Sequence, residues 1–197
     1  MTRQLLILTE TLPEPGMRVL AARDDIETRI LAEPSAAALA AGIAAADGVI
    51  MAMEQPALTA DLIARATRLR VACRLGAGYD NFDVAALTAR RIPLATTGGT
   101  NAPTVAEQAL YLMLALAKRG PSLDRAIKAG AWPRGFGGVE LLAKTCVLVG
   151  YGFIGREIAR RVAAFGMRLV VVDPFVMIDP SSGLHAEPDL MRALPLS

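Results

Sequence analysis

The 197-residue sequence has one histidine, two cysteines and no long apolar run. Cys73 and Cys146 each fall inside a strand-like apolar stretch, where a buried free thiol is the usual state, so neither a disulfide framework nor a metal site is expected. His185 stands among polar residues and reads as a surface side chain. No segment approaches the ~18 uninterrupted apolar residues of a membrane span. The nearest, residues 109–117, is far too short, so no membrane association is expected. The apolar run near the start is four residues long, is closed by Glu10 and has no small-residue cleavage site after it. It does not read as a secretory signal, and a cytoplasmic protein is expected. The net charge of +2 gives no large basic field, so nucleic acid is not an expected partner. Arg90-Arg91 and Arg160-Arg161, the densest basic pairs, read as solvated helix faces. Nothing repeats at a fixed period.

Apolar residues make up 53% of the chain and charged residues 20%, enough apolar content to build a core and to disfavour disorder. Short apolar runs alternate with helical patterns, the signature of βα units around a parallel sheet. Strands are expected at 5–8, 27–31, 48–52, 69–73 and 92–95, the second polar enough for a sheet edge. Ser35, Thr59 and Asp83 are expected to cap the intervening helices. Residues 1–97 therefore read as one compact α/β domain, and 98–197 as a second unit. The loop from Thr97 to Pro103 carries paired glycines and forms a natural hinge. Thr104 and Glu107 fit a capping box for a helix running to Arg119 and stopped by Gly120-Pro121. That helix is apolar nearly all round, which predicts burial between domains or subunits.

An apolar strand at 145–149 runs into Gly150-Tyr151-Gly152-Phe153-Ile154-Gly155. A helix over 156–165 and a strand over 168–172 follow, the strand ending on Asp173. Alone, G-x-G-x-x-G often marks only a turn. Between a strand and a helix, with an acid at the next strand's end, it fits a dinucleotide fold. Gly150 allows the tight turn, Gly152 lets a pyrophosphate approach the backbone, and Gly155 allows close helix packing. The backbone amides of Phe153 and Ile154 add to the positive helix end that binds phosphate. Asp173 suits the ribose hydroxyls of NAD and would repel a 2′-phosphate.

Three motifs together resemble the NAD-dependent D-2-hydroxyacid dehydrogenase family, over about residues 48–175. They are the Arg74-Leu75-Gly76-Ala77-Gly78-Tyr79-Asp80-Asn81-Phe82-Asp83 loop, the Thr100-to-Glu107 stretch, and the fingerprint through Phe165-Gly166-Met167 to Asp173-Pro174. The resemblance implies a flavodoxin-like, parallel-sheet substrate domain followed by the first half of a Rossmann NAD-binding domain. It implies a small 2-oxo or 2-hydroxy acid held at Arg74, Leu75, Gly76, Ala77 and Gly78, with the carboxylate on the backbone amides. Ala77, Thr104 and Val105 would also border the nicotinamide half of NAD. A homodimer is implied for the full-length protein.

Two departures stand out. Phosphoglycerate-type members carry an arginine after the third strand, where this chain has Ala52 between Met51 and Met53, whereas Arg74 matches them. The family's usual glycine before Lys144 is Ala143 here, which reads as a harmless change. The family's catalytic arginine, glutamate and histidine would lie in the second half of the nucleotide domain, and His185 follows Asp173 too closely to be that histidine. No catalytic residue is therefore assigned to these 197 residues. A complete dinucleotide domain has about six strands, and only two are read here. The chain is expected to be a piece lacking on the order of 100 further residues and to be inactive alone. Other readings on the same fold are an NAD-sensing, corepressor-type module and a branch acting on formate or phosphite.

Overall fold

The computed structural model describes residues 3–52, 55–135 and 137–193. Met53 and the chain's last four residues, both part of the sequence reading, lie outside the described residues. The chain divides into two compact units, Met1–Gly98 and Gly99–Ser197, and the division falls between the paired glycines of the hinge loop.

The first unit is a sheet of five parallel strands, β1 (Gln4–Leu8), β2 (Ile26–Ile30), β3 (Gly48–Met51), β4 (Val71–Arg74) and β5 (Leu94–Thr96). Their spatial order is β2-β1-β3-β4-β5, the flavodoxin-like order. The polar strand is indeed an edge: among the described residues β2 pairs only with β1, and no residue of it is fully buried. Helices α1 (Glu14–Ala21), α2 (Ala36–Ile43), α3 (Ala60–Arg65) and α4 (Val84–Ala89) connect the strands. Ile7, Val49, Met51 and Ala72 from the sheet pack with Leu39, Ile43, Ile63 and Leu87 from the helices, all essentially without solvent contact.

The three expected caps form. Ser35 Oγ accepts the Ala38 N–H at 3.1 Å, Thr59 Oγ1 accepts the Leu62 N–H at 3.4 Å, and Asp83 Oδ1 accepts the Ala86 N–H at 2.8 Å. Helix α1 was not expected. It follows Pro13 and buries no residue, and it lacks the side-chain cap that marks the start of α2, α3 and α4. Strands β4 and β5 start two residues later than expected, because Leu69 and Ile92 enter the core just ahead of the ladder. Arg90 does not belong to a solvated face. Its guanidinium donates to the carbonyls of Ile63 and Ala66 and so satisfies the C-terminal end of α3.

The second unit carries α5 (Ala102–Ala117), α6 (Gly120–Lys128), β6 (Thr145–Val149), α7 (Phe153–Ala163), β7 (Arg168–Val172), β8 (His185–Ala186) and α8 (Leu190–Ala193). The strands are parallel in the order β6-β7-β8. This is a third strand where two were expected. At two residues β8 is too short to show a pattern, and His185, which opens it, is exposed. Leu110 and Met113 of α5 pack on a core of Leu148, Ala159, Val162 and Leu169.

Helix α5 begins two residues before Thr104. Asn101 is its N-cap residue and Pro103 sits in its first turn, so Thr104 is a helical residue and not the cap. Gly120-Pro121 does not simply stop α5. Arg119, with φ 54°, breaks the helix in the left-handed region, and Gly120 and Pro121 then open α6. Within the single chain only Ala102 and Ala106 of α5 are buried, and Tyr111, Leu112 and Leu116 are 61, 51 and 79% exposed. Arg161 is likewise no solvated residue. Its side chain is 19% exposed, is paired with Glu157 of its own helix and reaches Glu107 of α5 at 3.6 Å. No helix among the described residues is long and apolar enough to cross a membrane.

Candidate functional site

The carboxyl ends of β3 and β4 present the Arg74–Gly78 loop, the place where open parallel sheets bind ligands. Gly76 takes φ +145°, a region that side-chain-bearing residues rarely adopt. Thr97, just past β5, fixes this residue at both ends. Its Oγ1 accepts the Gly76 N–H at 2.8 Å, and its own N–H donates to the Gly76 carbonyl at 3.1 Å. Of the loop amides expected to hold the substrate carboxylate, that of Gly76 is therefore already in use. The N–H groups of Ala77 and Gly78 have no partner among the described residues, and both residues are exposed. They form a two-donor anion site.

Arg74 is half-buried beneath this loop. Its Nε donates to the Gly78 carbonyl at 3.0 Å. Its Nη1 donates to the carbonyls of Met51 and Leu75, each at 3.3 Å, and to that of Ala52. A cavity of about 320 Å³ opens beside it, lined by Gln55, Ala57, Arg74, Gly78, Asp80 and Asn81. Ala52 offers nothing to a phosphate. Its N–H goes to Thr9 Oγ1 at 3.1 Å, and its carbonyl goes to Arg74. Leu75 is 36% exposed at the mouth of the loop.

In the second unit β6 is followed directly by Gly150, which takes φ +94° and donates its N–H to the Val172 carbonyl at 2.8 Å. Gly152 is the N-cap residue of α7, and a Cβ built on it would meet nothing within 4 Å. Gly155 is the opposite case, since a Cβ there would stand 2.3 Å from the Gly150 carbonyl oxygen. The close approach that demands Gly155 is thus to the turn itself. Helix α7 starts at Phe153 and not at 156, so the amides of Phe153, Ile154 and Gly155 belong to its first turn, which has no carbonyl partners. A dinucleotide pyrophosphate fits this arrangement: open space over Gly152 and donors at a positive helix end. The Phe153 ring lies over Gly99, whose φ is +85°. Thr104 and Val105 are exposed on the first turn of α5.

Asp173, one residue beyond β7, points back at the turn. Its Oδ2 accepts the Tyr151 N–H at 2.7 Å and its Oδ1 accepts the Phe175 N–H at 2.9 Å. These bonds, the first foremost, hold its carboxyl below the usual range. Arg156 stands over the Tyr151 ring at 4.8 Å. Sequence reading missed Thr97 and the brace role of Asp173. The one available signal was a polar residue directly after a strand's carboxyl end.

With this geometry in view, residues 6–174 match the family of the D-isomer specific 2-hydroxyacid dehydrogenase catalytic domain. D-3-phosphoglycerate dehydrogenase of Mycobacterium bovis is 36% identical over 159 residues, covering 80% of this chain and 30% of that protein. Hydroxypyruvate reductase of Thermotoga maritima is 39% identical over 127 residues, covering 64% of this chain and 42% of that protein. A solved protein of Pyrococcus horikoshii OT3 superposes with a TM-score of 0.82 at 26% identity, over 100% of this chain and 60% of its own. The chain thus spans about a third of the phosphoglycerate dehydrogenase it matches. It belongs to the D-isomer-specific 2-hydroxyacid dehydrogenase family.

Proposed function

We propose that this chain is the part of an NAD-linked oxidoreductase that holds the cofactor's pyrophosphate and the substrate's carboxylate. The reaction is the interconversion of a small, unphosphorylated D-2-hydroxy acid and its 2-oxo acid. The observation that carries the reading is the open helix end at Gly152, faced by unpartnered first-turn amides and closed behind by Asp173.

NAD, when bound, supplies the hydride acceptor or donor. The chain's own residues bind and orient. Amides of Phe153, Ile154 and Gly155 receive pyrophosphate oxygens. The Asp173 carboxylate retains lone pairs for ribose hydroxyls and disfavours a 2′-phosphate by charge. The Ala77 and Gly78 N–H groups take the carboxylate of the acid, and Leu75 offers it an apolar neighbour; in the second unit Thr104 and Val105 offer surfaces to the nicotinamide. Ala52 has both backbone groups engaged and no charged side chain, which supports an unphosphorylated substrate.

We further propose a homodimer, supported by the exposed Tyr111, Leu112 and Leu116 on α5, and a cytoplasmic location, supported by two free, half-buried thiols. The test of the function is a titration of the chain with NADH, followed by fluorescence, and then titrations of the NADH-loaded chain with glyoxylate, hydroxypyruvate and 3-phosphohydroxypyruvate. NADH binding that Gly152→Val abolishes is expected, as is tighter binding of the unphosphorylated acids. Binding untouched by Gly152→Val would refute the cofactor assignment, and preference for the phosphorylated acid would refute the substrate class.

A further inference from the structure

We infer that Arg74 is a positioning residue: it shapes the Ala77–Gly78 anion site by holding the surrounding carbonyls and does not itself take a second anionic group of the substrate. The inference rests on the carboxylate reading above and adds a residue through which that site works.

The argument starts from the peptide units of the loop. A trans peptide points its C=O and N–H in opposite directions, so anchoring a carbonyl aims the following N–H. Thr97 anchors the Gly76 carbonyl and thereby aims the N–H of Ala77. Arg74 anchors the two flanking carbonyls, Leu75 before the site and Gly78 after it. The Gly78 N–H is left between fixed neighbours. The same guanidinium bonds to Met51 and Ala52, which ties the loop to the end of β3. Carbonyl oxygens turned toward a bound carboxylate would repel it. Gathering four of them on one cation removes that repulsion and leaves a net positive charge under the site.

The planar fork of arginine is needed for this task. It sends Nε to one side of the loop and Nη1 to the other, a span that the single ammonium of lysine does not reproduce. The charge also opposes Asp80, which lines the same cavity. A direct phosphate ligand would turn its whole fork toward the cavity, whereas here Nε and Nη1 are committed to backbone and, among the described residues, only Nη2 is left over, so a two-pronged grip on a phosphate would have to break the bonds that hold the loop.

The experiment is an amide-resolved titration of the 15N-labelled chain with oxamate, and in parallel with 3-phosphohydroxypyruvate, for wild type, Arg74→Lys and Arg74→Met. In wild type the Ala77 and Gly78 resonances should move with both compounds. In both variants the dissociation constants should rise tenfold or more, by similar factors for the two compounds. Resonances of α2, β1 and β2 should stay in place. Arg74→Lys keeps the charge and carries the test if Arg74→Met does not fold. A loss confined to the phosphorylated compound would make Arg74 a direct ligand and overturn the inference, as would unchanged affinities. Absence of any Ala77 or Gly78 response in wild type would overturn the carboxylate reading itself, a result distinct from either of these.

Discussion

The carboxylate of Asp173 accepts the backbone N–H of Tyr151 at 2.7 Å, closing the end of β7 onto the turn that follows β6. One side chain therefore both stiffens the glycine turn and sets the charge beside it. The negative charge is secured by the Tyr151 and Phe175 amides, which favour the ionised form.

From this follows the cofactor preference. A 2′-phosphate near Asp173 makes a like-charge contact, and such contacts cost several kcal/mol when desolvated. We expect a preference for NADH over NADPH on the order of 10–100-fold in dissociation constant, and Asp173→Ser should shrink it. Equal affinities in the unmutated chain, measured by fluorescence titration, would contradict the assignment.

The three fingerprint glycines should separate by cause. Gly155→Ala forces a Cβ to 2.3 Å from a carbonyl oxygen and should cost roughly 1–3 kcal/mol of stability. Gly150→Ala, at φ +94°, should cost about 1–3 kcal/mol through backbone strain alone. Gly152→Ala meets open space, so its melting temperature should stay near wild type while NADH affinity falls. Denaturant melts with parallel NADH titrations check all three, and a Gly152→Ala chain that binds NADH normally would count against the pyrophosphate site.

How much of this was legible in the sequence depends on contact range. The caps at Ser35, Thr59 and Asp83 could be read because each bonds an amide three residues on. The fingerprint was legible because its parts are neighbours in sequence. Thr97 with Gly76 and Arg74 with Met51 join residues 21 and 23 positions apart, and only the assembled sheet brings them together. The capping box at Thr104 misled for a local reason: Pro103 is itself favoured in a helix's first turn and drew the start forward to Ala102.

Ala143 shows a cost that the sequence concealed. It holds φ 58°, in the left-handed region, and its N–H is tied to the Gly166 carbonyl at 3.0 Å. An L-residue there carries about 1–2 kcal/mol of strain, so the replacement of the family's glycine is not harmless. Ala143→Gly should raise stability, by about 0.5–1 kcal/mol once the added freedom of the unfolded chain is counted. Urea denaturation checks the sign, and a destabilised variant would mean the backbone is unstrained.

The exposed side of α5 predicts self-association. Leu116 is 79% exposed beside Tyr111 and Leu112, and the helix's other side is already occupied by α7. Sedimentation should find a dimer for the unmutated chain and a monomer for Leu116→Glu. An exposed substitution of this kind should move folding stability by no more than about 0.5 kcal/mol. A variant that remains dimeric would remove α5 from the interface.

The last prediction concerns acid. Asp47 is nearly buried, with its side chain 11% exposed. Its Oδ2 accepts the Leu5 N–H at 2.8 Å and meets Arg68 Nη2 at the same distance. The Leu5 amide first, and then Arg68, hold its carboxyl below the usual range against an opposing effect of burial. A depressed folded value means that the unfolded chain takes up this proton first as pH falls. The stabilisation is therefore fully present above the unfolded value of about 3.9 and is lost as pH drops through the folded one. Asp47→Asn keeps an acceptor for Leu5 but loses the charge. It should cost about 1–2 kcal/mol near neutral pH, in the range for hydrogen bonds to charged groups reduced for the half-exposed Arg68. Urea melts of both proteins should differ by that amount at neutral pH and converge as the pH falls through the folded value. A gap that stays constant across the acid range would show that Asp47 acts through its shape and not its charge.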